Sequence, residues 1–233
     1  MSEHAIEILD RIPFAVDLPV LLSELRVCQD GPDAKAIRGL AETATALARP
    51  KAVYKVAYVQ RRDGDSIHID GVVFVSRVLS ANLRNVQRVF PYVVTCGTEL
   101  DQIEIPPADF TRKYWLDAIK GMALQASMKY LHSYIRRKYL LEKTATMSPG
   151  AADVDTWPIE QQKQLFSLFE SVDDLIGVRL TDSLLMIPNK SVSGILFPTE
   201  INFKSCQVCR RENCPSRVAA FDEKLMKSYS RSS

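Results

Sequence analysis

Met147-Ser148-Pro149-Gly150, Trp157-Pro158 and Leu180-Thr181-Asp182-Ser183-Leu184-Leu185-Met186-Ile187-Pro188-Asn189-Lys190-Ser191-Val192-Ser193-Gly194 punctuate one stretch, Met147 to Phe197, around which the chain is organised. Turn-forming residues and small hydroxyl side chains alternate there with apolar ones. Glycine and small hydroxyl residues leave room for a backbone to make close contact there. No nucleophile–base pair occurs in the stretch, so binding is expected before bond-making.

Working outward, the segment just upstream is the longest element, a helix predicted from about Thr111 to Glu142. Trp115, Ile119, Met122, Ala126, Tyr130 and Ile135 form its apolar stripe, flanked by Leu116, Ala123 and Leu131. Gly121 inside it costs roughly 1 kcal/mol relative to alanine and suggests a close packing contact. His132, without a partner motif, reads as a surface or satisfied core histidine. Further upstream, Asp17-Leu18-Pro19 opens a first helix and Gly31-Pro32-Asp33 a second, ended by Pro50. Val53 to Val59, Ser66 to Asp70 and Tyr92 to Thr95 read as strands, with Arg62-Asp63-Gly64-Asp65 a hairpin turn. Val72 to Val75 is a third strand or a continuation of the second, and a helical segment lies near Ser80 to Val86.

Within the organising stretch, Thr144 to Thr156 reads as irregular. Thr156 caps a short helix with Leu165, Phe166 and Phe169 on its apolar face. Ile176 to Leu180 and Val192 to Phe197 read as strands, with a short helix over Thr181 to Met186 between them. A terminal helix from about Ser216 would dock through Val218, Phe221, Leu225 and Met226. The fold class is α+β, a twisted antiparallel or mixed sheet with flanking helices. One domain is expected overall: an N-terminal helical segment over residues 1–50, a core over 51–200 and a cysteine-rich tail and helix over 201–233.

The 233 residues are 46% hydrophobic and 25% charged with a net charge of +2, an ordinary globular balance that gives no electrostatic case for nucleic acid. No apolar run approaches the ~18 residues of a membrane span, and Met1 to Asp10 has no secretory apolar region. A cytoplasmic protein with reduced thiols is the expectation. Neither phosphate-loop nor dinucleotide glycine motifs occur, nor HExxH or GxSxG, and the three histidines are scattered at 4, 68 and 132. Asp153, Asp155, Asp173 and Asp174 suit loop solubility and helix capping better than acid–base chemistry. Cys28 and Cys96 read as inert core thiols.

Cys206-Gln207-Val208-Cys209 with Cys214 is the sharpest local chemical signal. Two cysteines separated by two residues can converge on one metal ion. Three thiolates would suit zinc with a fourth ligand, or an iron–sulfur cluster with one open iron. Three reduced thiols in a basic loop, or a redox role or corrinoid contact, are the alternatives.

Ser148-Pro149-Gly150, Trp157-Pro158, Gln161-Gln162, Ile176 to Ser183 and Met186-x-Pro-x-x-Ser-Val-Ser-Gly together resemble the activation (reactivation) domain of cobalamin-dependent methionine synthase. Upstream, Pro50 to Tyr54, Thr95 to Leu100 and Leu116 to Ile119 resemble stand-alone members of that family. The resemblance implies an activation domain-like fold that binds S-adenosylmethionine and lies over the corrinoid of a methyltransferase. It implies that Ser148, Pro149 and Gly150 present backbone groups to S-adenosylmethionine, and that Pro188, Lys190, Ser191, Ser193 and Gly194 lie near the corrinoid face. Cobalamin would be carried by a partner, a truncated methionine synthase or related corrinoid protein, with a flavodoxin- or ferredoxin-type electron donor.

Three positions depart from the family pattern. Thr146 stands where the family has an arginine, Ala151 where it has a tyrosine, and Gln125 where an acidic residue contacts the ligand. The arginine is the bidentate partner expected for a ligand carboxylate. A tyrosine pair of the family falls near Lys204-Ser205. None of the homocysteine, folate or cobalamin modules is present, so the chain is not a complete methyltransferase. The resemblance therefore implies an accessory protein supporting reductive methylation of a partner's cobalamin. The alternatives are a metal- or iron–sulfur-carrying electron donor and a non-catalytic docking scaffold.

Overall fold

The computed structural model describes residues 6–152, 156–214 and 217–230. It begins with strand β1 (Ile6–Leu9) and helix α1 (Leu18–Glu24), whose capping Asp17 accepts from the Val20 N–H at 3.2 Å. Helix α2 (Pro32–Leu47) starts on a proline and buries Ile37, Leu40, Ala41 and Ala44 at helical spacing. The run expected over Val53 to Val59 divides at Val56 into β2 (Lys51–Lys55) and β3 (Ala57–Asp63). A Gly64 turn with positive φ leads into β4 (Ser66–Ile69) and then β5 (Val72–Val75). Helix α3 (Arg77–Asn82), capped by Ser76, precedes the central strand β6 (Arg88–Thr95).

Helix α4 (Phe110–Lys138) is capped by Asp109 and ends on Arg136, Arg137 and Lys138, which complement its dipole. Its buried stripe is Trp115, Leu116, Ile119, Ala123, Ser127, Leu131 and Ile135, rotated from the expected one so that Met122 and Tyr130 lie half-buried at its margin. The chain continues as β7 (Thr144–Met147), α5 (Gln162–Phe166), α6 (Val172–Ile176), β8 (Arg179–Leu180), β9 (Met186–Ile187), β10 (Ser191–Pro198) and α7 (Glu223–Ser230).

Among the described residues eight strands form one sheet, and every pairing in it is antiparallel. β6 lies at its centre. β2 and β3 run along one edge of it in a single register, Lys51 opposite Thr95 and Tyr58 opposite Arg88, and β10 runs along the other. β1 flanks β2, the β4–β5 hairpin flanks β3, and β7 flanks β10.

Both sheet faces are covered, which is why β6 reads as a nearly continuous apolar run. Ala52, Tyr54, Phe90, Tyr92, Val94 and Leu196 face Leu131 and Ile135 of α4. Val53, Val93, Ala145, Met147 and Ile195 face the other way, against Trp157, Leu165, Ile176 and Phe203. α1 and α2 close a third cluster with Cys96, Leu100 and the first half of α4. No helix among the described residues is long and apolar enough to cross a membrane.

Several local expectations are corrected. Thr144 to Met147 is a strand, because β10 offers it an open edge. Ile176 ends a helix, with Gly177 at φ +72° as its left-handed cap, so only Arg179 and Leu180 are extended. Thr181 to Leu185 is a turn, not a helix: Thr181 Oγ1 accepts from Leu185 N–H at 3.1 Å and closes the β8–β9 hairpin. The last helix starts at Glu223, and Leu225 and Met226 dock while Val218 lies 75% exposed. Cys28 is exposed, and a Cβ on Gly121 would meet nothing within 4 Å.

Candidate functional site

The two ends of the organising stretch meet. Ser148, Pro149, Gly150 and Ala151 form one wall of a cavity of about 490 Å³, and Thr181, Leu184 to Ile187, Asn189 and Ser191 to Ser193 supply much of the rest. Ile159 and Gln162 complete the lining. A larger cavity of about 760 Å³ lies elsewhere, between Asn85, Leu140, Glu200 and Tyr229, and contains none of the expected binding residues.

Gly150 sits at φ +71°, a conformation that favours glycine, and its N–H donates to the Trp157 carbonyl at 2.9 Å. A Cβ there would also strike the Ile159 side chain, 2.6 Å away. The turn is thus folded back on the Trp157 segment. Trp157 is buried and donates from Nε1 to Gln161 Oε1 at 3.2 Å. The Gln161 amide accepts from Val75 N–H at 2.8 Å and donates to the Val75 carbonyl at 2.5 Å, bonding β5 as a neighbouring strand would. Gln162 donates to the Leu184 carbonyl at 3.1 Å and so holds the β8–β9 turn over the cavity.

Gly194 packs where no side chain fits. An added Cβ would lie 2.6 Å from the Met147 carbonyl oxygen, 2.6 Å from Ser148 Oγ and 2.8 Å from the Tyr92 hydroxyl. That hydroxyl is bonded to the Ser148 and Thr146 side chains, and burial pushes its pKa up to about 12 despite them. Next to the Tyr92 ring lies His132, with centroids 6.0 Å apart. Its Nε2 is buried without a partner, and burial, with a smaller contribution from Lys204, lowers its pKa to about 4. It is a core histidine with one nitrogen unsatisfied, and lies outside the cavity lining.

The hairpin that carries the second wall is fixed to α4. Lys190 Nζ pairs with Asp117 Oδ2 at 2.8 Å, and the Asn189 amide donates to Asp117 Oδ1 at 3.5 Å. The Ile187–Pro188 peptide is cis, and Ser191 Oγ donates to the Pro188 carbonyl at 2.8 Å while lying 2.9 Å from Thr95 Oγ1. Of the expected binding residues, Ser148, Pro149, Gly150, Ser191 and Ser193 therefore line the cavity. Pro188, Lys190 and Gly194 brace it from outside the lining.

The lining contains no charged side chain among the described residues. Thr181, Asn189, Ser148 and Ser191 already bond to the fold, as does the Gln162 amide nitrogen. Ser193 Oγ is the exception: its residue is 2% exposed and the oxygen is buried with no partner. Leu185 and Ile187 are 67% and 39% exposed at the cavity mouth. The arrangement suits a largely neutral ligand portion held by apolar contact and one hydroxyl.

Residues 121–214 match the family model for the vitamin B12 dependent methionine synthase activation domain. That segment is similar to the family's activation domain. It holds all of the cavity's described lining, from Ser148 to Ser193. The crystal structure of the MetH reactivation domain bound to AdoHcy aligns with 88% of this chain and 82% of its own, with a TM-score of 0.59 and 17% identity. At that identity the likeness speaks for the fold, and it bears out the expected activation domain-like α+β architecture. No curated protein is significantly similar in sequence.

Asp117, Tyr92 and Ile159 carry no sequence signal of these roles. Each acts through a contact distant in sequence, which periodicity cannot report. Asp173 and Asp174 lie in the first turn of α6, whose cap is Ser171, whereas Asp153 and Asp155 lie outside the described residues.

The expected metal ligands do not converge. Among the described residues no three histidine, cysteine or carboxylate groups could hold a metal ion. Cys206 and Cys214 are half-buried and Cys209 is buried. Arg217 organises their loop instead, donating to the carbonyls of Cys206, Cys209 and Ala219, each at 3.1 Å, and to that of Arg211. A guanidinium already gathers the backbone there.

Proposed function

We propose that the chain is an accessory protein that binds S-adenosylmethionine in the cavity beneath the Ser148–Gly150 turn and docks beside it on a cobalamin-dependent methyltransferase. The observation that carries this reading is the single cavity shared by the two motif segments, Ser148–Gly150 and Thr181–Ser193. About 490 Å³ is within the range of small-molecule sites. The AdoHcy held by the similar MetH reactivation domain supports the same ligand class.

In this reading the Ser193 hydroxyl meets a polar edge of the ligand, and Pro149, Ile159, Leu184 and Met186 enclose its apolar surfaces. With Thr146 in place of an arginine and no charged lining, the amino-acid end of the ligand lies toward solvent. The exposed Leu185 and Ile187 present the cavity mouth to the corrinoid-bearing partner. S-adenosylmethionine would give its methyl group to the partner's cobalamin and leave as S-adenosylhomocysteine, with a flavodoxin- or ferredoxin-type protein as the source of the electron. This chain contributes orientation and exclusion of water. The cysteine arrangement gives no support to a resident zinc ion or iron–sulfur cluster. Action in the cytoplasm is part of the proposal.

Isothermal titration with S-adenosylmethionine, and methylcobalamin recovery in an oxidised corrinoid methyltransferase with and without the chain, test it together. Saturable binding that Ser193→Ala weakens, with recovery dependent on the chain, is the expected outcome. Absence of both ligand binding and partner stimulation refutes the proposal.

A further inference from the structure

We propose that Cys206 and Cys209 form a dithiol–disulfide site that exchanges two electrons with small disulfides, Cys206 being the entry thiol and Cys209 the resolving one. The two residues begin and end one tight turn. Ser205 to Val208 is a 3-10 helix, and the Cys209 N–H donates to the Cys206 carbonyl at 3.3 Å. A turn closed between residues i and i+3 holds its end Cα atoms within ~7 Å. A disulfide spans about 4.4–6.8 Å, so the pair can bridge without large backbone movement.

The frame around the turn is independent of the sulfurs. Lys204 N–H donates to Gln207 Oε1 at 2.7 Å, and Asp222 N–H donates to the Gln207 carbonyl at 2.8 Å. Phe203 and Val208 are in the core with Tyr229. Arg217 bonds the carbonyls of both cysteines, so its cation grips the turn at each end. Both thiols are free, and no metal-holding group competes for them among the described residues.

Their exposures divide the roles. Cys206 is half-buried and so the more accessible of the two, whereas Cys209 is 8% exposed. The Cys206 thiolate attacks one sulfur of a low-molecular-weight disulfide, forming a mixed disulfide and releasing one small thiolate, which takes up the proton that Cys206 gave. The Cys209 thiolate then attacks Cys206 Sγ, closing the protein disulfide and releasing the second small thiol. Two protein thiols are oxidised and one small disulfide is reduced to two thiols, and a small dithiol reverses the sequence. The turn packs against β7, where the Ser205 hydroxyl donates to the Thr146 carbonyl at 3.4 Å, two residues before the cavity turn begins.

The full chain is equilibrated without oxygen in glutathione buffers ranging from fully reduced to fully oxidised, alkylated, and mapped by mass spectrometry. The expected product is the wild-type chain less two hydrogens with a Cys206–Cys209 link, unaffected by Cys214→Ser or Cys28→Ser. In Cys209→Ser a single glutathione adduct accumulates on Cys206, because the resolving thiol is gone. In Cys206→Ser adduct formation at Cys209 is at least ten-fold slower, and circular dichroism verifies that both variants are folded. Absence of the link at every buffer composition, a link to Cys214 instead, or stoichiometric zinc in the purified protein overturns the proposal.

Discussion

Gly194→Ala places one methyl group where the β10–β7 contact is closest. Its Cβ would lie within 2.8 Å of three oxygens: the Met147 carbonyl, Ser148 Oγ and the Tyr92 hydroxyl. None is the free end of a flexible side chain. The carbonyl belongs to β7, and the two hydroxyls hydrogen-bond each other. Relief therefore requires β7 to move away from β10 or the buried Tyr92–Ser148 bond to break. Overpacking of this kind costs about 1–3 kcal/mol. For a domain of this size 1 kcal/mol shifts Tm by about 2–4 °C, so a fall of about 2–12 °C is expected. Gly121→Ala is the matched control. It lies in α4 with nothing within 4 Å of the added Cβ, and alanine favours helix by about 1 kcal/mol, so Tm should rise by about 2–4 °C. Calorimetry and urea titration of both variants measure the pair, with titration of S-adenosylmethionine reporting the cavity wall that Ser148 forms. A Gly194→Ala protein as stable as wild type, or a Gly121→Ala protein destabilised to the same extent, would refute this account of how the wall is built.

His132 should make stability pH-dependent. Its folded pKa of about 4 lies below the ordinary ~6.5, so the unfolded chain binds the proton first and stability falls as pH drops from about 6.5 to about 4. The full loss is on the order of 3 kcal/mol, and His132→Leu should flatten that part of a urea-denaturation pH series. Gln161→Met leaves the Val75 N–H and carbonyl and the Trp157 N–H without their partner, costing about 2–4 kcal/mol in thermal unfolding with little change in ligand affinity. Ser193→Ala removes an unpartnered buried hydroxyl, so it should leave Tm unchanged or higher while weakening S-adenosylmethionine binding by about 0.5–1.5 kcal/mol in calorimetry.

Much of the architecture was legible where local signals and tertiary contacts agree. Asp17-Leu18-Pro19 and Gly31-Pro32-Asp33 mark helix starts found at Leu18 and Pro32, and the period-2 and buried runs mark β4 and β6. The failures have one physical source. β1 and β7 are four residues each and extended because a neighbouring strand offers its edge. Val172 to Ile176 is helical because Ser171 and Gly177 cap a short apolar segment whose composition also suits a strand. Thr181 makes its turn with a side-chain bond that a hydrophobic pattern does not register. In α4 the buried stripe is set by which face meets β6, and that rotation put Gly121 in open space. Of the cavity, the family-like motifs contain Ser148 to Gly150, Ser191 and Ser193, which line it. Asp117 and Tyr92, which hold its walls, are identified only by folding.

That division bears on what the motifs report. Trp157, Gln161, Gln162, Thr181 and Ser191 use their polar atoms on Val75, Leu184, Leu185, Pro188 and one another. A sequence pattern made of such residues specifies the shape of a cavity, because removing any of them leaves a buried donor or acceptor unpaired. It does not by itself specify the occupant. Ligand identity rests on groups the fold leaves unused, which here means the Ser193 hydroxyl and the apolar walls. Thr146 sits in β7 opposite Leu196, and Ala151 lies in the lining. A cavity with this uncharged lining should therefore, if it takes S-adenosylmethionine as proposed, select for the neutral part of that ligand. Its discrimination between S-adenosylmethionine and the nucleoside lacking the amino-acid end should be small, because no ion pair in the lining distinguishes them.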